Sequence, residues 1–280
     1  MDVEIRGMDE AGVAEALAWA EREGWQPGLG DHVPLFAADP KGYFHSVRGG
    51  RTLATLSVVR GSDSFAFVGL YIVEPEFRGR GYGKALWDEV LSRFEDLTLG
   101  LDAVPAQRDT YASDGFVPAY GNARYSADAP SLPPPDGSVR IAPASSVPFD
   151  QLVAFDGAHF FSERPAFLQP WIEGDGRRAV VAIEDGEIEG FAVSRPTTTG
   201  HRLGPIFARD AGIARELILT LASGLPGPVA LDLFLTNQPA VELAESLGMD
   251  QSFETTRMYR GTPPDLPIDR IFGITSLELG

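Results

Sequence analysis

The 280-residue chain has no cysteine. That removes disulfides, thiolate nucleophiles, Cys-ligated zinc and iron–sulfur clusters together. It has no apolar run near the ~18 residues that can span a bilayer; the longest strong one, FAFVGLYIV at 65–73, is of strand length. Cations are scarce, since 23 Lys and Arg face 40 Asp and Glu for a formal charge of −17. Such a deficit argues against nucleic acid or an anionic membrane as partner, because both need clustered cations to displace counterions. A small anionic ligand needs only a few local donors. The first residues, MDVEIRGMDE, are acidic and lack an apolar signal core, so a cytoplasmic protein is expected. No histidine pair has metal-ligand spacing, and no metal is expected.

At ~150 residues per domain the length predicts one large domain or two small ones. The clearest boundary is ADAPSLPPPDG, 127–137, where Pro133, Pro134 and Pro135 cannot continue a helix or a central strand. An extended linker there leaves units at 1–126 and 138–280.

In the first unit VEIRGM (3–8) reads as a strand, and Asp9 as the N-cap of a helix running to Glu23 before Gly24. RTLATLSVVR (51–60) and FAFVGLYIV (65–73) read as a hairpin across Gly61-Ser62-Asp63-Ser64. After a glycine loop, Leu86, Trp87, Val90, Leu91 and Phe94 recur at helical spacing over 84–94. A strand at 97–104 and a short helix at 106–114 follow. VRIAPA (139–144), Asp185-Gly186, LDLFL (231–235) and Leu247-Gly248-Met249 repeat these landmarks, offset by about 130–136 residues, which predicts two copies of one α/β unit.

The glycine loop carries the chemistry. A strand ending Leu70-Tyr71-Ile72-Val73 leads through Glu74-Pro75-Glu76-Phe77 to Arg78-Gly79-Arg80-Gly81-Tyr82-Gly83-Lys84 and a helix. Glycines at 79, 81 and 83 let backbone N–H groups approach an anion, and the helix start adds unpaired amides and a favourable dipole. Arg78, Arg80 and Lys84 put positive charge there in an otherwise acidic chain. A P-loop is excluded because Ala85 follows Lys84, and the dinucleotide fingerprint because Lys84 stands where its third glycine belongs.

The R-x-x-G-x-G pattern at Arg78, Gly81 and Gly83, with its strand and helix and the later Tyr111-Ala112-Ser113-Asp114-Gly115-Phe116, resembles the acyl-CoA loop of GNAT N-acetyltransferases over about residues 3–126. The second unit, with Phe160–Leu168 and the end RIFGITSLELG, resembles the GNAT-like C-terminal domains of tandem acetyltransferases. The resemblance implies an α/β (α+β) fold of two tandem GNAT-like units, each a mixed, mostly antiparallel twisted sheet flanked by helices. It also implies acetyl transfer from acetyl-CoA to a primary amine by direct attack. Backbone groups of Tyr71, Ile72 and Val73 would hold the pantetheine arm. Arg78, Gly79, Arg80, Gly81, Tyr82, Gly83 and Lys84 would hold the pyrophosphate, and Tyr111 would meet the departing thiolate.

Two expectations depart from the family. The glutamate it often places six residues before Val73 is Phe67 here, so the base stays open among Asp102, His45, a water chain and a residue of the second unit. Glu74 and Glu76 read as solvated. In the second unit the loop is about four residues shorter, keeps only Gly212, and carries Asp210, which would repel phosphate; loss of CoA binding is expected there. His159 and Arg164 are candidates for lining an acceptor pocket. A non-catalytic acyl-CoA sensor is the alternative reading; aminoacyl or peptidyl transfer from tRNA is disfavoured by the negative charge. The partner is then a small-molecule or peptide amine, and the protein a monomer or homodimer.

Overall fold

In the computed structural model, residues 3–280 are described. Their elements are β1 (Glu4–Gly7), α1 (Glu10–Arg22), α2 (His32–Ala38), β2 (Tyr43–Arg48), β3 (Arg51–Arg60), β4 (Phe65–Val73), α3 (Tyr82–Leu91), β5 (Thr98–Ala103), α4 (Arg108–Ser113), β6 (Val117–Asp128), β7 (Ile141–Pro143), α5 (Phe149–Gly157), α6 (Pro165–Glu173), β8 (Arg178–Glu184), β9 (Glu187–Pro196), β10 (His201–Ala208), α7 (Ala211–Ala222), β11 (Pro228–Phe234), α8 (Gln238–Ser246), β12 (Asp250–Arg260) and β13 (Ile271–Gly273).

Local signals explain several boundaries. The Asp9 carboxylate accepts from Gly12 N and starts α1, which buries Val13, Ala16, Leu17 and Ala20. Gly81 adopts φ 81° at the N-cap of α3, a backbone geometry that L side chains resist. Leu86, Trp87, Val90 and Leu91 then turn one apolar face of α3 onto the sheet.

Among the described residues the strands form one sheet in the order β1-β2-β3-β4-β5-β12-β6-β11-β10-β9-β8-β7, with β13 beside β10. The order is a palindrome of the two units, centred on two exchanged strands. β6 leaves the first unit to pair with β11, and β12 returns from the second to pair with β5. The two then pair with each other. Two mixed, mostly antiparallel sheets thus run as one, flanked by helices. β6 continues into the expected linker: Ala127 and Asp128 pair with Val229 and Pro228 before the prolines end the strand. Beyond them, Asp136 N and Gly137 N donate to the buried Glu216 carboxylate of α7. The largest core cluster draws Trp19, Leu35, Tyr43 and Leu70 from one unit and Phe167, Trp171, Phe191 and Phe207 from the other. No helix among the described residues is long and apolar enough to cross a membrane.

Candidate active site

The β4–β5 pair is one of two parallel pairs among the described residues, and it is short. Registered contacts run from Phe65–Thr98 to Val68–Leu101 and then stop. The cause lies in β4, where one extra residue is accommodated between the pairs Gly69–Ser57 and Ile72–Thr55. Leu70 takes φ 47° within this bulge, and Thr55 Oγ1 donates to its carbonyl at 2.7 Å. β4 and β5 therefore diverge, leaving the β5-facing edge of residues 69–73 without a ladder partner. A cavity opens in the gap, lined by Gly69, Leu70, Tyr71, Leu101, Asp102, Val104, Tyr111, Trp25 and, from the second unit, Phe253, Thr255, Leu277 and Glu278.

A second cavity adjoins it and shares Trp25, Tyr71, Val104 and Tyr111. Glu23, Ile72, Val73, Arg78, Gly79, Gln107 and Thr110 complete its walls. Of the residues predicted from the sequence, Tyr71, Ile72, Val73, Arg78, Gly79 and Tyr111 thus meet around one space. Arg80, Gly81, Tyr82, Gly83 and Lys84 lie beyond its wall, where α3 begins. A Cβ on Gly79 would meet nothing within 4 Å, so the backbone there is open to a ligand. A Cβ on Gly83 would meet Val73 Cγ2 at 2.6 Å and the Tyr71 hydroxyl at 2.7 Å; glycine lets helix and strand close up.

The cations are less concentrated than the motif suggests. Arg78 donates to the Val73 carbonyl at 2.9 Å and pairs with Glu23, while Lys84 pairs with Asp88 one turn on. These pairs are solvent-exposed, hence weak and exchangeable for a more highly charged anion. Arg80 lies over the Phe77 ring, and Tyr82 turns inward, its hydroxyl accepting from Arg48 at 2.9 Å.

Tyr111 and Tyr71 flank Trp87, with ring centroids 5.3 and 5.0 Å from it. Burial raises the Tyr71 pKa to about 12. Burial and the nearby Tyr71 push Tyr111 higher still. Both hydroxyls stay protonated at neutral pH and can donate hydrogen bonds.

The candidate bases separate. Asp102 is saturated: Arg257 donates to it twice, at 2.7 and 2.9 Å, and Asn122 once, at 2.6 Å. His45 lies on β2 with Thr52, remote from both cavities. Glu74 pairs with Arg22, and Glu76 with Arg51. Phe67 is sealed beneath Arg257 and Gly280. Neither His159 nor Arg164 reaches the cavities. His159 stacks on Phe207, and Arg164 forks Asp156 and donates to Thr275 Oγ1. Glu278, not singled out from sequence, is the carboxylate the second unit brings to the gap. Its signal was a lone acid in an apolar stretch, ITSLELG.

In the second unit the corresponding gap between β10 and β11 is filled. β13 pairs with β10, and Ile274 N donates to Asp232 O on β11 at 2.8 Å. Gly204 there and Gly69 in the first unit both lie under tail carbonyls, Ile274 O and Glu278 O. At the start of α7 the Asp210 carboxylate takes the Ile213 amide at 3.0 Å, an amide an anion would otherwise use.

A bulged, splayed β4–β5 pair thus adjoins a helix that begins at a glycine cap. The class of protein comes from family matching: residues 11–116 match the acetyltransferase (GNAT) family, and residues 152–273 an acetyltransferase (GNAT) domain. Holothin acyltransferase of Pseudoalteromonas sp. (strain SANK 73390) is 31% identical over 265 residues, 94% of this chain and 89% of that one. A solved Pyrococcus horikoshii protein superposes with a TM-score of 0.82 at 19% identity, covering 99% of this chain and 96% of that one. A tandem GNAT protein from the clavulanic acid biosynthesis pathway does so at 0.65 and 18%, covering 94% and 100%. The chain belongs to the GNAT family, as an acyltransferase with two GNAT domains in tandem.

Proposed function

We propose that the first unit transfers an acetyl group from acetyl-CoA to a primary amine bound in the gap between β4 and β5. The supporting observation is the pair of adjoining cavities that share Tyr71, Val104, Tyr111 and Trp25. One runs past Gly79 and Arg78 toward the glycine loop and suits a phosphate-bearing arm; the other suits the acceptor. Similarity to a holothin acyltransferase supports acyl transfer and makes holothin a first acceptor to assay.

The unpaired edge of β4 would hydrogen-bond the pantetheine arm and orient the thioester carbonyl. Fixed backbone donors stabilise the oxyanion that develops there. The amides of Gly79–Lys84, with Arg78 and Arg80, would hold the pyrophosphate. Tyr111 would donate a hydrogen bond to sulfur as the carbon–sulfur bond breaks. Its pKa lies above the ordinary tyrosine value, and a thiol's is ~8.5, so full proton transfer is uphill and the strengthening hydrogen bond is the contribution.

CoA release measured across holothin and a panel of primary amines tests this reading. Release that never depends on the amine would leave an acyl-CoA-binding protein in place of an enzyme. Gly81→Val forces a β-branched residue into φ 81°, a strain of roughly 1–3 kcal/mol. Acetyl-CoA affinity measured by calorimetry should fall at least tenfold, about 1.4 kcal/mol; equal affinities would remove the loop from the site. Tyr111→Phe should slow turnover about tenfold, near the ~1.4 kcal/mol of one hydrogen bond, while acetyl-CoA affinity holds. An unchanged turnover would leave Tyr111 a packing residue.

A further inference from the structure

Resting on that acetyl-transfer reading, we propose that Glu278 is the proton acceptor and ammonium anchor of the β4–β5 cavity, and that the acceptor is a small primary amine on an apolar, ring-bearing body. The cavity holds two carboxylates. Asp102 spends its oxygens on Arg257 and Asn122. Glu278 is 7% exposed, yet among the described residues it accepts no hydrogen bond and has no cation within ion-pairing distance. Nor are its oxygens among the orphaned polar atoms sealed from solvent. Its unused acceptor capacity therefore faces the cavity, where a buried carboxylate needs a donor.

The tail that carries Glu278 is held in place. Arg164 donates to Thr275 Oγ1 at 2.8 Å, Arg195 to Thr275 O at 3.2 Å, and Gly280 N to Ser276 O at 3.0 Å. Leu279 is buried, and Gly69 leaves the room through which the Glu278 carbonyl passes. The remaining wall is apolar or aromatic: Trp25, Leu70, Val104, Phe253 and Leu277. The charged and titratable groups facing Glu278 are Tyr43 of β2, Tyr71 of β4, Asp102 of β5, Tyr111 of α4, Arg124 of β6 and Arg202 of β10. Both arginines are turned to Asp232.

An alkylammonium of pKa ~10.4 is almost wholly protonated at neutral pH. Glu278 takes one ammonium proton, and the freed nitrogen lone pair forms the bond to the thioester carbonyl carbon. The carbon–sulfur bond then breaks with its electron pair going to sulfur, which accepts the Tyr111 hydrogen bond and a proton from water. The nitrogen's second proton and the one on Glu278 pass to solvent, for a net release of one proton with amide and thiol.

Phenethylamine is the probe. CoA release from acetyl-CoA is followed between about pH 7 and 10, and calorimetry measures phenethylammonium binding to the CoA-saturated protein. Glu278→Gln should lower kcat/KM roughly 100- to 1000-fold at neutral pH. The deficit should shrink toward pH ~10, as the free-amine fraction rises toward the half reached at its pKa of ~10.4. Phenethylammonium should bind at least tenfold more weakly, about 1.4 kcal/mol, while acetyl-CoA affinity stays unchanged, and Glu278→Asp should recover part of both losses. A Glu278→Gln enzyme with wild-type kcat/KM, or with the same deficit at every pH, overturns the proton-acceptor role. Wild-type protein that does not bind phenethylammonium overturns the acceptor class. Binding that depends on Glu278 without any CoA release upholds the anchor and overturns the acetyl-transfer reading instead.

Discussion

Arg257→Ala is expected to lower stability by about 3–5 kcal/mol, because breaking a buried pair leaves a charge without compensation. Arg257 is fully buried on β12, and Asp102 on β5 is 1% exposed. Their contact is a two-pronged fork at 2.7 and 2.9 Å, capped by the rings of Phe67 and Phe234. Burial acts to lower the Arg257 pKa, and facing Asp102 more than reverses it. Truncation would leave Asp102 in the cavity wall with Asn122 as its remaining donor. At ~2–4 °C per kcal/mol for a chain of this order of size, thermal unfolding should shift down by roughly 6–20 °C. The double substitution Asp102→Leu with Arg257→Met removes both charges and should recover most of the loss. A single-variant shift below about 2 °C would mean that the pair does not hold β12 to β5.

That pair also marks where sequence reasoning stops. β3 and β4 were legible to the residue, because alternation and a polar turn are local properties. So was the Asp9 cap, which needs only one amide three residues on. The helix expected over 84–94 begins at Tyr82, since Gly81 can cap it, and from Ser92 tightens into a 3₁₀ turn. The exchange of β6 and β12 is a different matter. Each carries a pattern that would pair as well with its own unit, and only contacts more than a hundred residues apart decide the order. β2 went unread because Tyr43–Arg48 is short and buries adjacent residues in pairs, Tyr43 with Phe44 and Ser46 with Val47, without clean alternation.

The candidate site divides the same way. The glycine loop could be singled out because an anion site at a helix start is encoded over a few residues, and Tyr111 lines one cavity with Arg78 and Gly79. The β4–β5 cavity could not be assembled that way, since Trp25, Phe253 and Glu278 come from three distant segments. The tail that fills the second unit's own gap with β13 goes on to line the first unit's gap, so both units wall the β4–β5 cavity.

Asp31→Ala should be at least as damaging as Arg257→Ala. Asp31 precedes α2 and is 1% exposed, yet it serves three donors: Gly28 N at 2.8 Å, Arg177 at 2.8 Å and Arg195. Both guanidiniums belong to the second unit and lie over the Trp171 ring, 4.8 and 4.3 Å from its centroid. The site is already rich in cations: burial pulls the Arg177 pKa below its ordinary value, and Arg195 beside it adds to this against the opposing pull of Asp31. Removing the one shared anion leaves two buried cations, so a loss of about 3–5 kcal/mol or more is expected, or roughly 6–20 °C in thermal unfolding. Arg195 also donates to the Thr275 carbonyl, so the Glu278 tail should loosen with it. Below its unfolding temperature the variant should bind acetyl-CoA normally while its transfer rate falls, because the glycine loop is remote from Asp31 and the tail is not. Adding Arg177→Met and Arg195→Met should restore much of the stability by removing the stranded charges, without restoring the Arg195 hold on the tail. A transfer rate recovered along with stability would mean that Thr275 needs no such anchor.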